Sequence, residues 1–285
     1  MSETDVEILT QLRNLLLLSH NQNSSSQQLA LHQFWSQEME KPRNREPKRL
    51  LRHGFKMYSQ ADEDGIIEEI FRRIGTSSKI FVEFGVERGV ECNTLKLLLE
   101  GWRGLWIDGG EANVQTMAAS HADWIGRGQL VIQQAFITSE NIDSLIVSGV
   151  GGQDVDFLSI DIDRNDYWVW DAIRSIRPRA VCIEYNPTWR PPLSVVAEYG
   201  AERMWDGTNY FGASLEALTV LGREKGYRLV GCSFSGVNAF FVREDLCGDR
   251  FHEPATAAEH YEPARFFFCG LRSGHNPGIG PLVTV

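Results

Sequence analysis

From Tyr58 onward the chain alternates short apolar runs with segments of helical periodicity, and this alternation limits the fold more than any other feature. The apolar runs predict seven strands: Ile80–Phe84, Gly104–Asp108, Leu130–Ala135, Phe157–Asp161, Ala180–Tyr185, Tyr227–Cys232 and Val237–Val242. The helical segments between them are Glu91–Glu100, Asn113–His121, Ser139–Val147, Tyr167–Ile176 and Ala213–Lys225. Strands joined by helices form parallel sheets covered on both faces, so we expect a doubly wound α/β domain.

The last two predicted strands depart from this alternation. Only the four residues from Ser233 to Gly236 separate them, which is too short for a helical crossover. They are therefore predicted to form an antiparallel hairpin. The expected fold is a Rossmann-like, mostly parallel sheet of seven strands with an antiparallel last strand.

The domain organisation is predicted from changes in residue pattern. Residues 1–57 are expected to be a helical extension and basic connector, 58–245 the main domain, and 246–285 a C-terminal tail or lid. Apolar residues at helical spacing predict a helix from about Val6 to Leu18, suited to homo-oligomer formation, and a polar break follows at 21–28. Between Lys41 and Lys56 seven basic residues face one acid, which indicates either a solvated connector or a contact with an anionic partner.

Charge and cysteine content exclude several classes of function. The net charge is −10, from 38 acidic and 28 basic residues, so a nucleic-acid-binding surface is not expected. The five cysteines are odd in number and lack CxxC spacing, which is typical of reduced thiols in the cytoplasm. No stretch approaches the roughly 18 apolar residues that a membrane span requires.

A glycine loop follows the first predicted strand, in the segment from Phe81 to Gly89. Backbone N–H groups at such a strand-to-helix turn can face a bound ligand. The dinucleotide fingerprint lacks its middle glycine here, and the carboxylate of Glu83 would repel a pyrophosphate. Glu83 instead suits the methionine ammonium of S-adenosylmethionine, with Gly85 and Gly89 shaping the loop. The alternative is a plain connection between strand and helix.

The second strand supports an adenosine cofactor. It ends at Asp108, followed by Gly109, where a carboxylate can accept hydrogen bonds from both hydroxyls of a ribose. Enzymes that bind NAD share this feature, so the cofactor prediction depends on Glu83 as well. Asn93 and Thr94 are candidates for binding the cofactor carboxylate, and an ordinary role at the helix start is the alternative.

Acidic residues follow the fourth and fifth strands. Asp161, Asp163 and Asp166 come after the fourth strand, and Glu184 and Asn186 end the fifth. Because open α/β sheets bind ligands along this edge, we assign catalysis to Asp161, Asp163 and Glu184. Together with Asn186 they form an all-oxygen set suited to Mg²⁺ or another divalent cation.

The metal hypothesis has an alternative that the sequence leaves open. The acids could cap the following helix, with Asp166 at its N-terminus, and bind substrate without a cation. Clustered like charges would then raise the pKa of one carboxylate and make it a usable general base.

Four segments carry a family resemblance: Tyr58–Gly65, Phe81–Thr94, Leu158–Trp170 and Cys182–Pro187. Together they resemble the FkbM-type methyltransferases over roughly Tyr58 to Arg243, and the strand layout is that of class I methyltransferases. The resemblance implies an O-methyltransferase acting on sugars, polyketides or other natural products.

The resemblance also implies roles for single residues. Gln60 and Glu63 belong to a family segment near the cofactor entrance. The alternative for Gln60 is that it caps the helix starting near Asp62. The three acids after the fourth strand match the family's acidic positions, with Asp for Glu at the second and third. Arg164 replaces the usual glycine, so the substrate cannot be carried over.

A long insertion, from Pro187 to Gly212, is the expected substrate side. Trp189, Arg190 and Tyr210, with Asp166, suit a sugar or polyhydroxylated ring, although core packing uses the same residue types. We therefore predict a methyltransferase for a hydroxyl of a small-molecule or glycan acceptor. The alternatives are a metal-independent N- or carboxyl-methyltransferase and a non-catalytic scaffold.

Overall fold

The computed structural model describes residues 26–269 and 275–285. Contacts divide the chain into two compact units, of which the first ends at Glu46. Within its described part, residues 26–39 form helix α1 and Pro42–Arg45 form a 3₁₀ turn. The helix predicted near Val6–Leu18 lies outside the described residues. The polar break predicted for 21–28 is wrong at its end, because residues 26–28 are helical.

The second unit, Pro47–Val285, contains the sheet. Its helices are α2 Glu63–Ile74, α3 Leu95–Leu99, α4 Glu111–Ser120, α5 Ala122–Gly126, α6 Ile142–Val150, α7 Asp166–Ala172, α8 Leu215–Glu224, α9 Glu244–Cys247 and α10 Ala257–His260. Its strands are β1 Ile80–Phe84, β2 Arg103–Asp108, β3 Leu130–Gln134, β4 Phe157–Ile160, β5 Ala180–Glu184, β6 Val195–Ala197, β7 Tyr227–Cys232, β8 Asn238–Arg243 and β9 Leu282–Thr284. Short 3₁₀ helices occupy Leu51–His53 and Phe266–Cys269.

Seven of these strands form one sheet in the order β3-β2-β1-β4-β5-β8-β7. The first five run parallel, while β8 pairs antiparallel with both β5 and β7. The predicted doubly wound, mostly parallel sheet with an antiparallel last strand is thereby confirmed. The strand order reverses between β1 and β4, which makes their carboxyl ends the switch point of the sheet.

Each face of the sheet is covered by its own apolar core. In β1 the side chains of Ile80, Val82 and Phe84 join the core that includes α6, α7 and α8. Phe81 joins the opposite core, with residues of α2 and α3. Because strand side chains alternate between faces, Glu83 lies on the Phe81 side, under α3.

Two local features differ from the sequence prediction. Helix α3 is shorter than the predicted Glu91–Glu100, and residues 91–94 form bends before it. Strands β6 and β9 form a separate two-stranded antiparallel sheet that the sequence did not predict. This sheet joins the insertion to the C-terminal segment. In the part of the chain that the structure describes, no helix is long and apolar enough to cross a membrane.

A buried carboxylate organises the turn that enters β1. Asp156 is fully buried and accepts hydrogen bonds from the backbone N–H groups of Ser77, Ser78 and Lys79 at 2.8–3.1 Å. The Ser77 hydroxyl also donates to it at 2.6 Å. Lys79 has a left-handed φ of 54°, a conformation that these bonds stabilise. The position of the amino end of β1 in the sheet therefore depends on Asp156.

We expect Asp156→Ala to lower the free energy of unfolding by about 3 kcal/mol, because several buried donors lose a charged acceptor. Asp156→Asn should cost less, since one acceptor oxygen remains. Urea denaturation followed by circular dichroism measures both. Asp154→Ala, at an exposed neighbour, is the matched control and should stay within about 0.5 kcal/mol of wild type. Equal effects of the two alanine variants would contradict the assignment.

Candidate functional site

The loop after β1 meets the loop after β4 at the switch point. Gly85 has a left-handed φ of 70°, and its N–H donates to the Ile107 carbonyl at 3.1 Å. A Cβ at Gly85 would lie 1.6 Å from the carbonyl oxygen of Asp161. Only glycine permits this approach, so the glycine loop and the acidic residues after β4 are direct neighbours.

Glu87 stands where the dinucleotide fingerprint would have its middle glycine. Its φ is 52°, in the left-handed region that glycine adopts without strain. Its N–H donates to Asp108 Oδ2 at 2.8 Å, which ties the glycine loop to the end of β2. The departure from the pattern therefore changes the side chain but keeps a loop path suited to glycine.

Asp108 is 7% exposed and accepts three hydrogen bonds. Besides the Glu87 N–H, Oδ1 accepts the Gly110 N–H at 2.8 Å and the Asn113 amide at 3.1 Å. A carboxylate has about four acceptor positions, so one remains on Oδ2. The structure thus leaves room for one ribose hydroxyl at Asp108, whereas the sequence suggested two. Gly109 follows directly, with its backbone near Ala135 and Phe136.

Glu83, Asn93 and Thr94 are paired with one another inside the protein. The Glu83 carboxylate accepts the N–H groups of Asn93 at 2.8 Å and Thr94 at 3.1 Å, as well as the Thr94 hydroxyl. The Asn93 amide donates to the Ser159 hydroxyl, and the Trp106 indole donates to Thr94. Burial raises the pKa of Glu83, and these hydrogen bonds oppose the rise. Their contacts with the methionine part of a cofactor stay predictions.

The segment around Gln60 is held against the glycine loop. Asp64 Oδ2 accepts the N–H groups of residues 57–59 at 2.7–2.8 Å, and the N–H of Cys92 donates to the carbonyl of Tyr58. Glu63 is fully buried and accepts a backbone N–H and a side-chain amide. The Gln60 side chain is exposed. Asp64 is thus the residue that positions this segment, a role that the sequence did not reveal.

Three carboxylates converge at the carboxyl ends of β4 and β5. Asp161, Asp166 and Glu184 each place one oxygen within 4.8 Å of the others. Asp166 is 1% exposed, and its Oδ1 accepts the Ile162 N–H at 2.9 Å. The buried atoms Asp166 Oδ2 and Glu184 Oε2 have no hydrogen-bond partner among the described residues. Two buried oxygens without donors are an arrangement that a cation would satisfy.

The electrostatics of this cluster follow from burial and mutual repulsion. Burial, with the Ile162 hydrogen bond opposing it and the charge of Asp163 adding to it, raises the pKa of Asp166 to about 7. The pKa values of Asp161 and Glu184 rise well above the usual range, first through burial and then through the neighbouring carboxylates. Each of the three can therefore hold a proton near neutral pH.

Two residues that the sequence analysis predicted for the metal site, Asp163 and Asn186, lie outside the converging group. Asp163 has a φ of 64° and an exposed side chain, so Asp166 takes its place in the converging group. Asn186 is fully buried, and its amide donates to the carbonyls of Asn209 and Phe211 at 2.8 and 2.9 Å. Its oxygen accepts the Thr188 N–H at 3.0 Å. Asn186 therefore holds the insertion in place.

The predicted substrate residues occupy different environments. Tyr210 is buried, and its hydroxyl donates to the carbonyl of Pro281 near β9. Trp189 is half-buried, with its ring centroid 6.4 Å from that of Tyr210, and Arg190 is exposed. The structure thus brings Trp189 and Tyr210 together under the small sheet.

The residues present fit the two predicted ligands, S-adenosylmethionine and a divalent cation, in part. The glycine loop, the remaining acceptor of Asp108 and the backbone contact with Asp161 are suited to the adenosine portion of S-adenosylmethionine. The unpartnered oxygens of Asp166 and Glu184, with Asp161, form a donor set for a hard divalent cation.

Comparisons with known proteins find structural likeness only. No protein-family model and no curated protein matches the sequence. The N-terminal domain of EvdMO1 with SAH bound is 14% identical, covering 73% of this chain and 94% of that one, with a TM-score of 0.42. A SAM-dependent methyltransferase from Aquifex aeolicus is 12% identical, covering 64% and 88%, with a TM-score of 0.38.

Magnesium protoporphyrin IX methyltransferase from Synechocystis PCC 6803 with bound SAM is 11% identical, covering 64% of this chain and 77% of that one, with a TM-score of 0.41. Likeness at these identities concerns the fold. The function has to be inferred from this chain's own residues.

The contact between Gly85 and Asp161 can be tested by one substitution and its control. Gly85→Ala should lower the free energy of unfolding by about 3 kcal/mol, through left-handed strain and overlap with the Asp161 carbonyl. Gly152 has the same φ of 70°, but a Cβ added there would have no atom within 4 Å, so Gly152→Ala should cost only about 1 kcal/mol. Urea denaturation measures both. Similar losses in the free energy of unfolding for the two variants would mean that the contact between Gly85 and Asp161 does not contribute to stability.

Proposed function

We propose that this chain is an S-adenosylmethionine-dependent methyltransferase that methylates a hydroxyl of a sugar-like or other natural-product acceptor. The FkbM-type resemblance supports the acceptor class, and the geometry of the sheet edge supports the reaction. The converging carboxylates support assistance by a divalent cation such as Mg²⁺.

One observation carries the proposal. The glycine loop, which would hold the methyl donor, is in backbone contact with Asp161, which belongs to the acidic group with two unpartnered oxygens. A donor and an acceptor bound at these two places would be neighbours. Methyl transfer requires this proximity, because the acceptor oxygen must approach the methyl carbon in line with the departing sulfur.

The chain's own residues supply positioning and proton transfer. S-adenosylmethionine, when bound, supplies the methyl group, and its sulfonium becomes a neutral thioether. Asp108 and the loop from Gly85 to Gly89 would orient the adenosine. In a reaction without a cation, as the hydroxyl oxygen bonds to the methyl carbon, its proton would pass to the ionised form of Glu184 or Asp161, which is a stronger base than an exposed carboxylate because burial raises its pKa.

A cation held by Asp161, Asp166 and Glu184 would lower the pKa of the acceptor hydroxyl. The insertion that carries Trp189 and Tyr210 would cover the acceptor. Its aromatic rings suit the apolar face of a sugar ring.

Cofactor binding is the first test. Isothermal calorimetry should show micromolar-range binding of S-adenosylmethionine, weakened about tenfold in Asp108→Asn, because an amide accepts a ribose hydroxyl less strongly. Asp123→Asn, at an exposed acid of α5, is the matched control and should bind like wild type. NAD should not bind, since Glu83 and Glu87 oppose a pyrophosphate. Absence of binding to the wild-type protein, with and without divalent cations, would refute the methyltransferase proposal.

Cation binding is the second test. Mg²⁺ should bind the wild-type protein at pH 8 and weaken as the pH falls through about 7, because protons compete for Asp166. Asp166→Asn should lose this binding, whereas Asp163→Asn, which makes the same charge change three residues earlier, should retain it. Calorimetry measures the affinities. Equal binding by both variants would contradict the site, and methyl transfer that persists in strong chelator would indicate a metal-free reaction.

A further inference from the structure

Arg164 is a buried cation that is close in sequence to the acidic group. It follows Asp163 in the loop between β4 and α7 and is 5% exposed. Its Nε atom is buried without a hydrogen-bond partner. Within residues 26–269 and 275–285, the structure gives its guanidinium no hydrogen bond and no ion pair within 4.0 Å. Burying an unpaired charge costs several kcal/mol, so such a group is expected to have a ligand.

The contacts of Arg164 show where its charge lies. The guanidinium carbon lies 5.2 Å from the ring centroid of Tyr210, in a cation–π contact. Hydrogen bonds from Thr208, and then the charge of Arg164, lower the pKa of Asp206, but Asp206 is exposed and forms no ion pair with Arg164. A ring face satisfies a cation only in part, because the N–H groups at the guanidinium edge need acceptors.

The position of Arg164 in the chain and its contact with Tyr210 place it near the proposed acceptor site. It precedes Asp166 by two residues, so their Cα atoms lie within about 7.6 Å. Tyr210, which it contacts, belongs to the insertion that covers the proposed acceptor site, and the Tyr210 ring lies beside Trp189. A substituent of the acceptor that extends under the insertion, towards the Tyr210 ring, would therefore meet Arg164.

We propose that Arg164, supported by Tyr210, is a specificity-determining subsite for an anionic group, a carboxylate or a phosphate, on the methyl acceptor. The planar guanidinium matches both groups through paired N–H donors. A neutral acceptor would leave the buried charge unpaired and would be rejected for that reason. The link to the acceptor rests on the proposed function, whereas the anion site itself does not.

The test titrates the protein with sodium phosphate and, separately, sodium acetate, at constant ionic strength kept with chloride and in the presence of chelator. Calorimetry should show saturable binding of at least one anion to wild type, and which anion binds identifies the group. Arg164→Met should weaken that binding by about tenfold or more. Arg127→Met, at an exposed arginine that follows α5 and lies outside the proposed site, is the control and should leave it unchanged.

A second measurement separates an anion site from a purely structural arginine. In chloride buffer, Arg164→Met should unfold at the same or a higher temperature than wild type, because it removes an unpaired buried charge while keeping the length of the side chain. A structural arginine would make this variant less stable. Arg164→Lys keeps the positive charge but lacks the paired N–H donors of the guanidinium. It should bind the anion more weakly than wild type and more tightly than Arg164→Met.

The outcomes distinguish the two proposals. Binding of S-adenosylmethionine without any binding of phosphate or acetate overturns the anion subsite alone, as does equal anion binding by wild type and Arg164→Met. Anion binding that depends on Arg164, in a protein that does not bind S-adenosylmethionine, supports the anion site and refutes the methyltransferase assignment.

Discussion

The backbone contact between Gly85 and Asp161 is the constraint on which the rest of the site depends. At the switch point, the loops after β1 and β4 leave the sheet on neighbouring strands, and side chains would normally separate them. Because Gly85 has no side chain, the two backbones touch. The glycine loop is also joined to Asp108 through the Glu87 N–H, so these two contacts connect the carboxyl ends of β1, β2 and β4 into a single surface.

Charges at this surface are buried without being balanced. Burial, and after it the charges of neighbouring carboxylates, raise the pKa values of Asp161, Asp166 and Glu184. Arg164 is close to them in sequence but forms no ion pair with them. A structure optimised for stability alone would pair these charges or replace them with apolar groups. Buried carboxylates and a buried arginine that do not form ion pairs with one another are typical of a site where ligands supply the missing partners.

The alternation of strands and helices predicted the sheet, its antiparallel strand and the edge where the acids lie, because all three follow from periodicity and connection length.

The sequence could not show which acid turns inward. Asp163 and Asp166 are both candidates by spacing, but Asp163 has a left-handed φ and is the more exposed of the two, whereas the buried Asp166 belongs to the converging group. Glu83 was predicted to bind the cofactor, and its pairing with Asn93 and Thr94 depends on bends that periodicity does not detect. The pairing of β6 with β9 joins segments too distant in sequence to predict.

Two left-handed residues, Glu87 and Asp163, explain why this edge suits a cationic cofactor. Both are acidic, both adopt conformations favoured by glycine, and they lie close enough for their charges to interact. Strain and repulsion of this kind persist where the surrounding structure enforces them. S-adenosylmethionine carries a net positive charge through its sulfonium and would reduce that repulsion, whereas the pyrophosphate of NAD would increase it. Glu87 thus has a backbone conformation suited to glycine and carries a negative charge that would favour S-adenosylmethionine over NAD.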